Sequence, residues 1–297
     1  MENDLEQAKN LKLVLSAFEK LLGLMINFHK SEIFCFGEAK DRAGEFTQIL
    51  GCKEGTFPFT YLGIPMNTHK ISSKHWGAVE ERFQKKLGSW KGKLRSFGGR
   101  LVLLDSVLSS LPMYMMSFFR LPKGVRKKLD YYRSRFLWQY DNHKKKYRLI
   151  KWNILSKPRS LGGMGIIDLE MQNICLLSKW LFRPINEDGI WQDVLRRKYL
   201  NNKSLSQAHK KPGDSQFWSG LMEVKDLFLS RGRFNVQSGT QTRFWEDLWI
   251  GDKTLKEAYP SLYSIARNKS DTVAKIISSV PFNISFRRAL TGNRLLN

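Results

Sequence analysis

The stretch from Trp76 to Phe97, WGAVEERFQKKLGSWKGKLRSF, carries an aromatic residue at every seventh position. Aliphatic residues fill the gaps between the later aromatic positions, and most of the other positions are polar or basic. Apolar side chains at this spacing line one face of a helix and pack it against its neighbours. The repeat consists of Trp76, Phe83, Trp90 and Phe97. We therefore predict a helical layer in which Trp76, Phe83 and Trp90 belong to the core and pack helices together.

The flanking segments extend this helical pattern. We expect Gly98-Gly99 to end the helix, a second helix over 100–119 with a kink or end near Pro112, and a third over 125–140. Antiparallel helices with short connections form a bundle. N-terminal to the aromatic repeat, apolar spacing predicts a helix over 5–24, and β-prone runs over 25–37 predict a strand or hairpin. The fold class predicted is mainly α with a small β portion (α+β).

Breaks in the pattern suggest four regions. We place them at 1–70 (a helix plus β-hairpins), 71–150 (a basic helical bundle), 151–205 (a helical connector) and 206–297 (a C-terminal region with a small β-containing unit). The polar stretch 201–214 is the best linker candidate. Residues beyond 268 are weakly patterned, so we expect them to be loosely held.

Charge is the unusual feature of the composition. The chain has 50 Lys and Arg against 27 Asp and Glu, a net charge of +23 and a sequence pI near 10.0. Between Arg82 and Lys151 there are 19 basic and 3 acidic residues, a net +16. Such clustering is typical of a face that binds a polyanion, because each neutralised phosphate releases counterions.

Other compositional features narrow the function classes. The three cysteines, Cys35, Cys52 and Cys175, are far apart and show no metal-ligand spacing, which argues against a disulfide framework or a closed zinc site. We expect Cys175 to be a packed thiol on an apolar helical face. The acidic N-terminus favours neither a secretory signal nor a transit peptide, and no apolar stretch is long enough for a membrane span. The prediction is a nuclear or cytoplasmic protein with no membrane partner.

Several segments resemble the reverse transcriptase of plant non-LTR (LINE-type) retrotransposons, in that family's order. The segments are Gly23-Leu-Met-Ile-Asn-Phe-His-Lys-Ser31, Tyr61-Leu-Gly-Ile-Pro-Met66, Leu87-Gly-Ser-Trp-Lys-Gly-Lys-Leu94, Gly99 to Ser117, Arg135-Phe-Leu-Trp138, Leu161 to Leu169, Lys179-Trp-Leu-Phe-Arg183 and Arg243 to Asp252. The resemblance covers roughly residues 5–265. It implies the end of a palm over 1–70, a thumb-like basic bundle over 71–150, and a connector leading toward a zinc-binding domain.

The resemblance also bears on catalysis. Polymerases of this family hold two Mg²⁺ ions with paired carboxylates, and no adjacent Asp-Asp pair occurs in this sequence. We therefore expect no cofactor for this chain, Mg²⁺ only for the intact parent polymerase, and no polymerase activity from the chain alone. By resemblance, Lys30 is a candidate general acid for departing pyrophosphate; a solvated turn lysine beside Asn27 and Ser31 is the alternative.

Two sets of binding residues follow from the resemblance and the charge. Tyr61, Leu62 and Gly63 would hold the primer end, although the same residues also suit an ordinary strand-turn. A thumb grips a primer–template duplex through phosphates, so the basic helices are the candidate interface for RNA, DNA or an RNA–DNA hybrid. The candidate contacts are Lys85, Lys86, Lys91, Lys93, Arg95, Arg100, Arg126, Lys127, Lys128, Arg133 and Arg135.

Four functions remain open from sequence alone. The first is a truncated reverse-transcriptase-like protein that binds nucleic acid without polymerising it. The others are a subunit completed in trans by a separate palm fragment, a fragment of an intact RNA-directed DNA polymerase, and a decayed remnant or helical scaffold with no catalytic role.

Overall fold

The computed structural model describes residues 3–67, 70–90, 96–138, 150–186, 189–201, 203–232, 236, 238–240 and 242–288. It is mostly helical (57%) with few strands (5%), which confirms the predicted fold class. By Cα proximity the chain divides into two compact units, residues 1–75 and 76–297. The four-region division stays a prediction.

The first unit is built from two helices and two small sheets. Its helices are α1 (Leu5–Leu22) and α2 (Ala43–Leu50), and its strands are β1 (Glu32–Ile33), β2 (Lys53–Glu54), β3 (Phe59–Tyr61) and β4 (Ile64–Met66). Asp4 caps α1 by accepting from the Glu6 backbone N–H at 2.9 Å. Gly23, at φ 67°, ends the helix in the left-handed conformation that its missing Cβ permits.

The β-prone run after α1 does not form a local hairpin. β1 pairs in parallel with β2, with Glu32 opposite Lys53. A short 3₁₀ turn over Phe28–Lys30 precedes β1. The side chain of Phe34 stacks on Phe59 with ring centroids 4.1 Å apart. Packing between segments distant in sequence therefore fixes this region, which local β propensity could not foretell. The second sheet is a hairpin, with β3 antiparallel to β4.

The second unit contains eleven helices among the described residues. They are α3 (Gly77–Ser89), α4 (Phe97–Leu103), α5 (Met113–Met116), α6 (Lys123–Trp138), α7 (Trp152–Leu155), α8 (Leu169–Asn186), α9 (Ile190–Leu195), α10 (Gln216–Arg231), α11 (Leu255–Ala258), α12 (Pro260–Ile265) and α13 (Val273–Ile277). Gly98-Gly99 lies in the first turn of α4, so this pair starts a helix where we expected it to end one. π-helical turns over Leu104–Leu108 and Arg196–Leu200 extend α4 and α9.

The aromatic heptad packs α3 against α6. Trp76 and Phe83 are buried as predicted, and the Trp90 ring lies 5.1 Å from that of Phe136. Gln84 donates to the Tyr132 hydroxyl at 3.0 Å. Because the contact pairs follow the same order along both helices, α3 and α6 run parallel, and not antiparallel as a simple bundle would require.

Three expectations from the sequence are corrected in this unit. The stretch 201–214 is not a free linker, because Leu205 and Ala208 are buried in a core with α8 and α10. Residues beyond 268 are not loosely held throughout, because Val273 and Ile276 are buried in the C-terminal core. Cys175 is exposed on α8 instead of packed.

A buried arginine joins three parts of this unit. Arg133 of α6 is fully buried; its Nη2 donates to the Ser109 hydroxyl at 2.9 Å and to the Ile167 carbonyl at 2.6 Å. Its Nη1 donates to the Asp130 carboxylate at 2.9 Å. Burial lowers the pKa of Arg133, and the charge of Asp130 opposes that shift. The guanidinium is held by several partners, as a buried charge requires.

A buried amide joins α8 to the loop between α5 and α6. The Asn173 side-chain oxygen accepts from the Leu121 backbone N–H and from Arg120, each at 2.9 Å. Its nitrogen donates to the Met116 carbonyl at 2.7 Å and the Phe119 carbonyl at 2.9 Å. All four hydrogen-bonding positions of the amide are used, so one side chain satisfies three backbone groups that would otherwise be buried without partners.

Replacing Arg133 should destabilise the second unit strongly. We expect Arg133→Met to lower the free energy of unfolding by about 3 kcal/mol or more, because it leaves the other polar partners buried and one carboxylate uncompensated. Urea denaturation followed by circular dichroism measures this. The control is Lys127→Met on the same helix, whose exposed side chain predicts a change within about 0.5 kcal/mol. Equal stability of the two variants would contradict the structural role of Arg133.

Replacing Asn173 should also be costly. Asn173→Ala leaves one buried N–H and two buried carbonyls without their side-chain partner, at about 1–3 kcal/mol for each group that finds no other. We expect a loss of at least about 2 kcal/mol by the same urea titration. Met171→Ala, at an exposed position on α8, is the matched control. A loss for Asn173→Ala no larger than that of the control would show that the amide is dispensable.

Candidate nucleic-acid interface

The position of α6 in the core determines which of its charges face solvent. Four of its buried residues are spaced by one turn, and a fifth lies beside one of them, so the opposite side of the helix faces outward. The spaced residues are Val125, Leu129, Arg133 and Leu137, and the fifth is Ser134. Lys123 and Lys127 lie one turn apart on that outward side, and both are exposed. On α3, Lys85 and Lys86 are exposed next to the buried Phe83. We call these four lysines the cationic face.

Two predicted contacts are already in ion pairs. Arg126 is half-buried and pairs with Glu170 of α8. Lys128 is exposed and pairs with Glu80 of α3, a hydrogen bond that raises the pKa of Lys128. A phosphate would compete with these carboxylates for the cations. Arg126 therefore links α6 to α8, and Lys128 links α6 to α3.

Arg133 is a correction to the predicted set. Its guanidinium is buried, so it cannot reach a phosphate on the surface of a duplex. The sequence placed it among basic neighbours, but its position in the i, i+4 series of Val125 and Leu129 puts it on the buried side of α6. Helical phase was the signal that would have identified it.

The remaining predicted contacts are half-buried or lie outside the described residues. Arg100 is half-buried, with its guanidinium 6.0 Å from the Phe97 ring, and Arg135 is half-buried on α6. Lys91, Lys93 and Arg95 lie outside the described residues. Lys123 was not predicted, although its spacing of four residues from Lys127 was visible in the sequence.

The residues predicted at the primer end lie on the hairpin of the first unit. Tyr61 ends β3 and is exposed, and Leu62 and Gly63 form the turn with φ of 49° and 81°. Two successive positive φ values match the twist of the flanking strands, and a left-handed leucine is uncommon. Lys30 is exposed at the end of its 3₁₀ turn, where its backbone N–H donates to the Asn27 side chain at 3.0 Å. The roles given to these four residues stay predictions.

Two further observations concern only the part of the chain that the structure describes. No helix there has the length and apolar character of a membrane span. No three histidine, cysteine, aspartate or glutamate side chains there come together as a set that could hold a metal ion.

Comparison with known proteins identifies two similar plant proteins. No protein-family model matches the chain. One relative from Arabidopsis thaliana bears the name "Putative ribonuclease H protein"; it is 32% identical over 200 residues, which cover 65% of this chain and 32% of the relative. The chain thus spans about a third of that longer protein. The other is an uncharacterized mitochondrial protein of Arabidopsis thaliana, 34% identical over 148 residues, which cover 49% of this chain and 96% of the relative.

The second match extends over nearly the whole of the smaller relative, and its identity is similar to that of the first. The two relatives together point to plant proteins derived from retroelements. The chain belongs to the family of the uncharacterized mitochondrial protein of Arabidopsis thaliana.

Proposed function

We propose that this chain binds RNA, DNA or an RNA–DNA hybrid through phosphates on the cationic face. The observation that carries the proposal is the exposure of four lysines on two helices whose opposite sides are packed into the core. A fixed helix presents its charges at a constant spacing, and phosphate contacts need charge and position but no base recognition. The net +16 of the segment that contains these helices supports the same ligand class.

The ion pairs of Arg126 and Lys128 indicate which cations of α3 and α6 are available to a phosphate. Both cations have carboxylate partners, so a phosphate gains less from them than from Lys85, Lys86, Lys123 and Lys127. Surface ion pairs contribute little stability by themselves, and these two connect α6 to α8 and to α3. We assign the direct contacts to the cationic face and a positioning role to the two paired cations.

Neutralising three of the four lysines of the cationic face should weaken binding and reduce its salt dependence. For an RNA–DNA hybrid measured by fluorescence anisotropy, the triple variant Lys85→Gln, Lys86→Gln and Lys127→Gln should bind more weakly than the unmodified chain. The slope of log affinity against log salt should fall by roughly 0.9 for each phosphate that the variant no longer neutralises.

The control removes the same charge from the first unit. Lys9, Lys20 and Lys40 are exposed there, and their joint replacement by Gln changes net charge equally. We expect a much smaller loss of affinity from this control, because a defined face binds through the charges that touch phosphate. Equal losses from the two triple variants would show that only net charge matters and would exclude a defined face.

We further propose that the chain alone does not polymerise DNA. The support is the resemblance to a polymerase family that uses paired carboxylates, together with the lack of an adjacent Asp-Asp pair in this sequence. Primer extension on an RNA template with Mg²⁺ and all four deoxynucleotides should give no product. Extension above a heat-denatured control would overturn this part of the proposal.

A second candidate function is completion by another protein fragment. α1 and the residues after it expose apolar side chains at helical spacing, ending at Leu21 (82% exposed) and Met25 (93% exposed); the earlier positions are Leu11, Val14 and Phe18. Contiguous exposed apolar surface is typical of an interaction site. In the longer relative, about two thirds of the chain lies outside the match, so a matching segment there is joined to further protein. We propose that a polymerase palm fragment covers this face.

Disrupting this apolar face should impair association. We expect Leu21→Glu to reduce co-purification of the chain with the palm fragment of a plant non-LTR reverse transcriptase, because the complex would bury a charge. Lys9→Glu, at an exposed position of the same helix, should leave co-purification intact. A palm fragment that fails to co-purify with the unmodified chain would count against this function while leaving nucleic-acid binding untouched.

A further inference from the structure

A cluster of aromatic side chains lies where α8 meets α9. Trp180 of α8 is at its centre, with the rings of Trp191 and Phe217 packed edge-on at centroid distances of 6.2 and 5.4 Å. Phe118 lies on another side at 5.9 Å. The indole N–H of Trp180 donates to the Ser117 carbonyl at 2.8 Å. These contacts from α9, α10 and the end of α5 hold the central ring in one orientation.

The outer part of this cluster is exposed. Trp191 is 48% exposed. Ile190, next to Trp191 at the start of α9, is 87% exposed. Large aromatic residues are usually buried to a greater extent because they contribute most to a core. Trp191 packs against the half-buried Trp180, so it is a preformed flat surface whose side-chain entropy is already reduced.

One cation contacts this cluster, and others are exposed on the same two helices. The Arg183 guanidinium lies 5.3 Å from the Trp180 ring centroid, so the arginine and Trp191 contact the same indole. Lys179 precedes Arg183 by one turn of α8 and is exposed. On the π-helical extension of α9, Arg197 and Lys198 are exposed as well.

We infer that this aromatic patch, centred on Trp191, binds the unpaired bases of a single-stranded nucleic acid. Sites of this kind combine aromatic rings, on which successive bases stack, with cations that follow the backbone phosphates. An apolar protein partner would have to desolvate Arg183 and any other cation of α8 and α9 that it covered, which is unfavourable. A nucleic-acid strand presents both a flat apolar face and the complementary charge. The assignment is independent of the cationic face of α3 and α6.

The experiment measures the affinity of the full chain for labelled oligothymidylate by fluorescence anisotropy at low salt. Trp191→Ala should weaken binding about tenfold, the loss expected for one stacked base. Trp191→Phe should retain most of the affinity, because it keeps an aromatic face. Ile190→Ala, the matched control, removes exposed apolar surface without removing an aromatic face and should leave affinity unchanged.

Further measurements separate this site from the cationic face. Trp191→Ala should leave the affinity for blunt RNA–DNA hybrid unchanged, since a duplex offers no unpaired base. Arg197→Gln should reduce the salt slope of single-strand binding by roughly 0.7. Thermal denaturation checks that each variant folds as the unmodified chain does.

The outcomes are distinct. Unchanged oligothymidylate binding by a folded Trp191→Ala overturns the inference, even if the cationic-face variants behave as proposed. Equal losses from Trp191→Ala and Ile190→Ala also overturn it, because they indicate a general apolar contact. A selective loss for Trp191→Ala supports it, even if hybrid binding through α3 and α6 is absent.

Discussion

The guanidinium of Arg133 is the interaction around which the helical unit is arranged. Charge buried without partners costs several kcal/mol, so the elements that supply its partners must occupy defined positions. Ser109 lies just after the π-helical turn that extends α4, and Ile167 lies in the segment leading into α8. One side chain of α6 therefore sets the positions of both. The exposed lysines of α6 are presented on a surface that this buried contact holds in place.

The same principle operates at Asn173, with a neutral group. A loop between two helices leaves backbone N–H and carbonyl groups that need partners once they are buried. Asn173 supplies them from α8. Polar groups thus determine which helix packs where, while the aromatic residues of α3 and the leucines of the core supply most of the hydrophobic stabilisation.

Periodicity in the sequence predicted the helices well, and pairing between distant segments poorly. The seven-residue aromatic repeat correctly indicated that Trp76 and Phe83 are buried, because helical phase is a local property. The parallel alignment of β1 with β2 and of α3 with α6 depends on contacts between remote parts of the chain. For the proposed interface, net charge selected a region of the sequence but did not show which of its basic residues are exposed. Arg133 and Lys127 have the same formal charge, and only their phase on α6 separates a core contact from a surface one.

The two kinds of cation on α6, a buried arginine and exposed lysines, differ in their chemistry. The buried cation is an arginine, which stays protonated and can satisfy several partners at once, whereas the exposed cations Lys123 and Lys127 are lysines. Lysine amines are the groups that acetylation neutralises. Covalent modification could therefore remove charge from the outer surface of α6 step by step, while the cation that organises the core would be inaccessible to the modifying enzyme and chemically different from its targets.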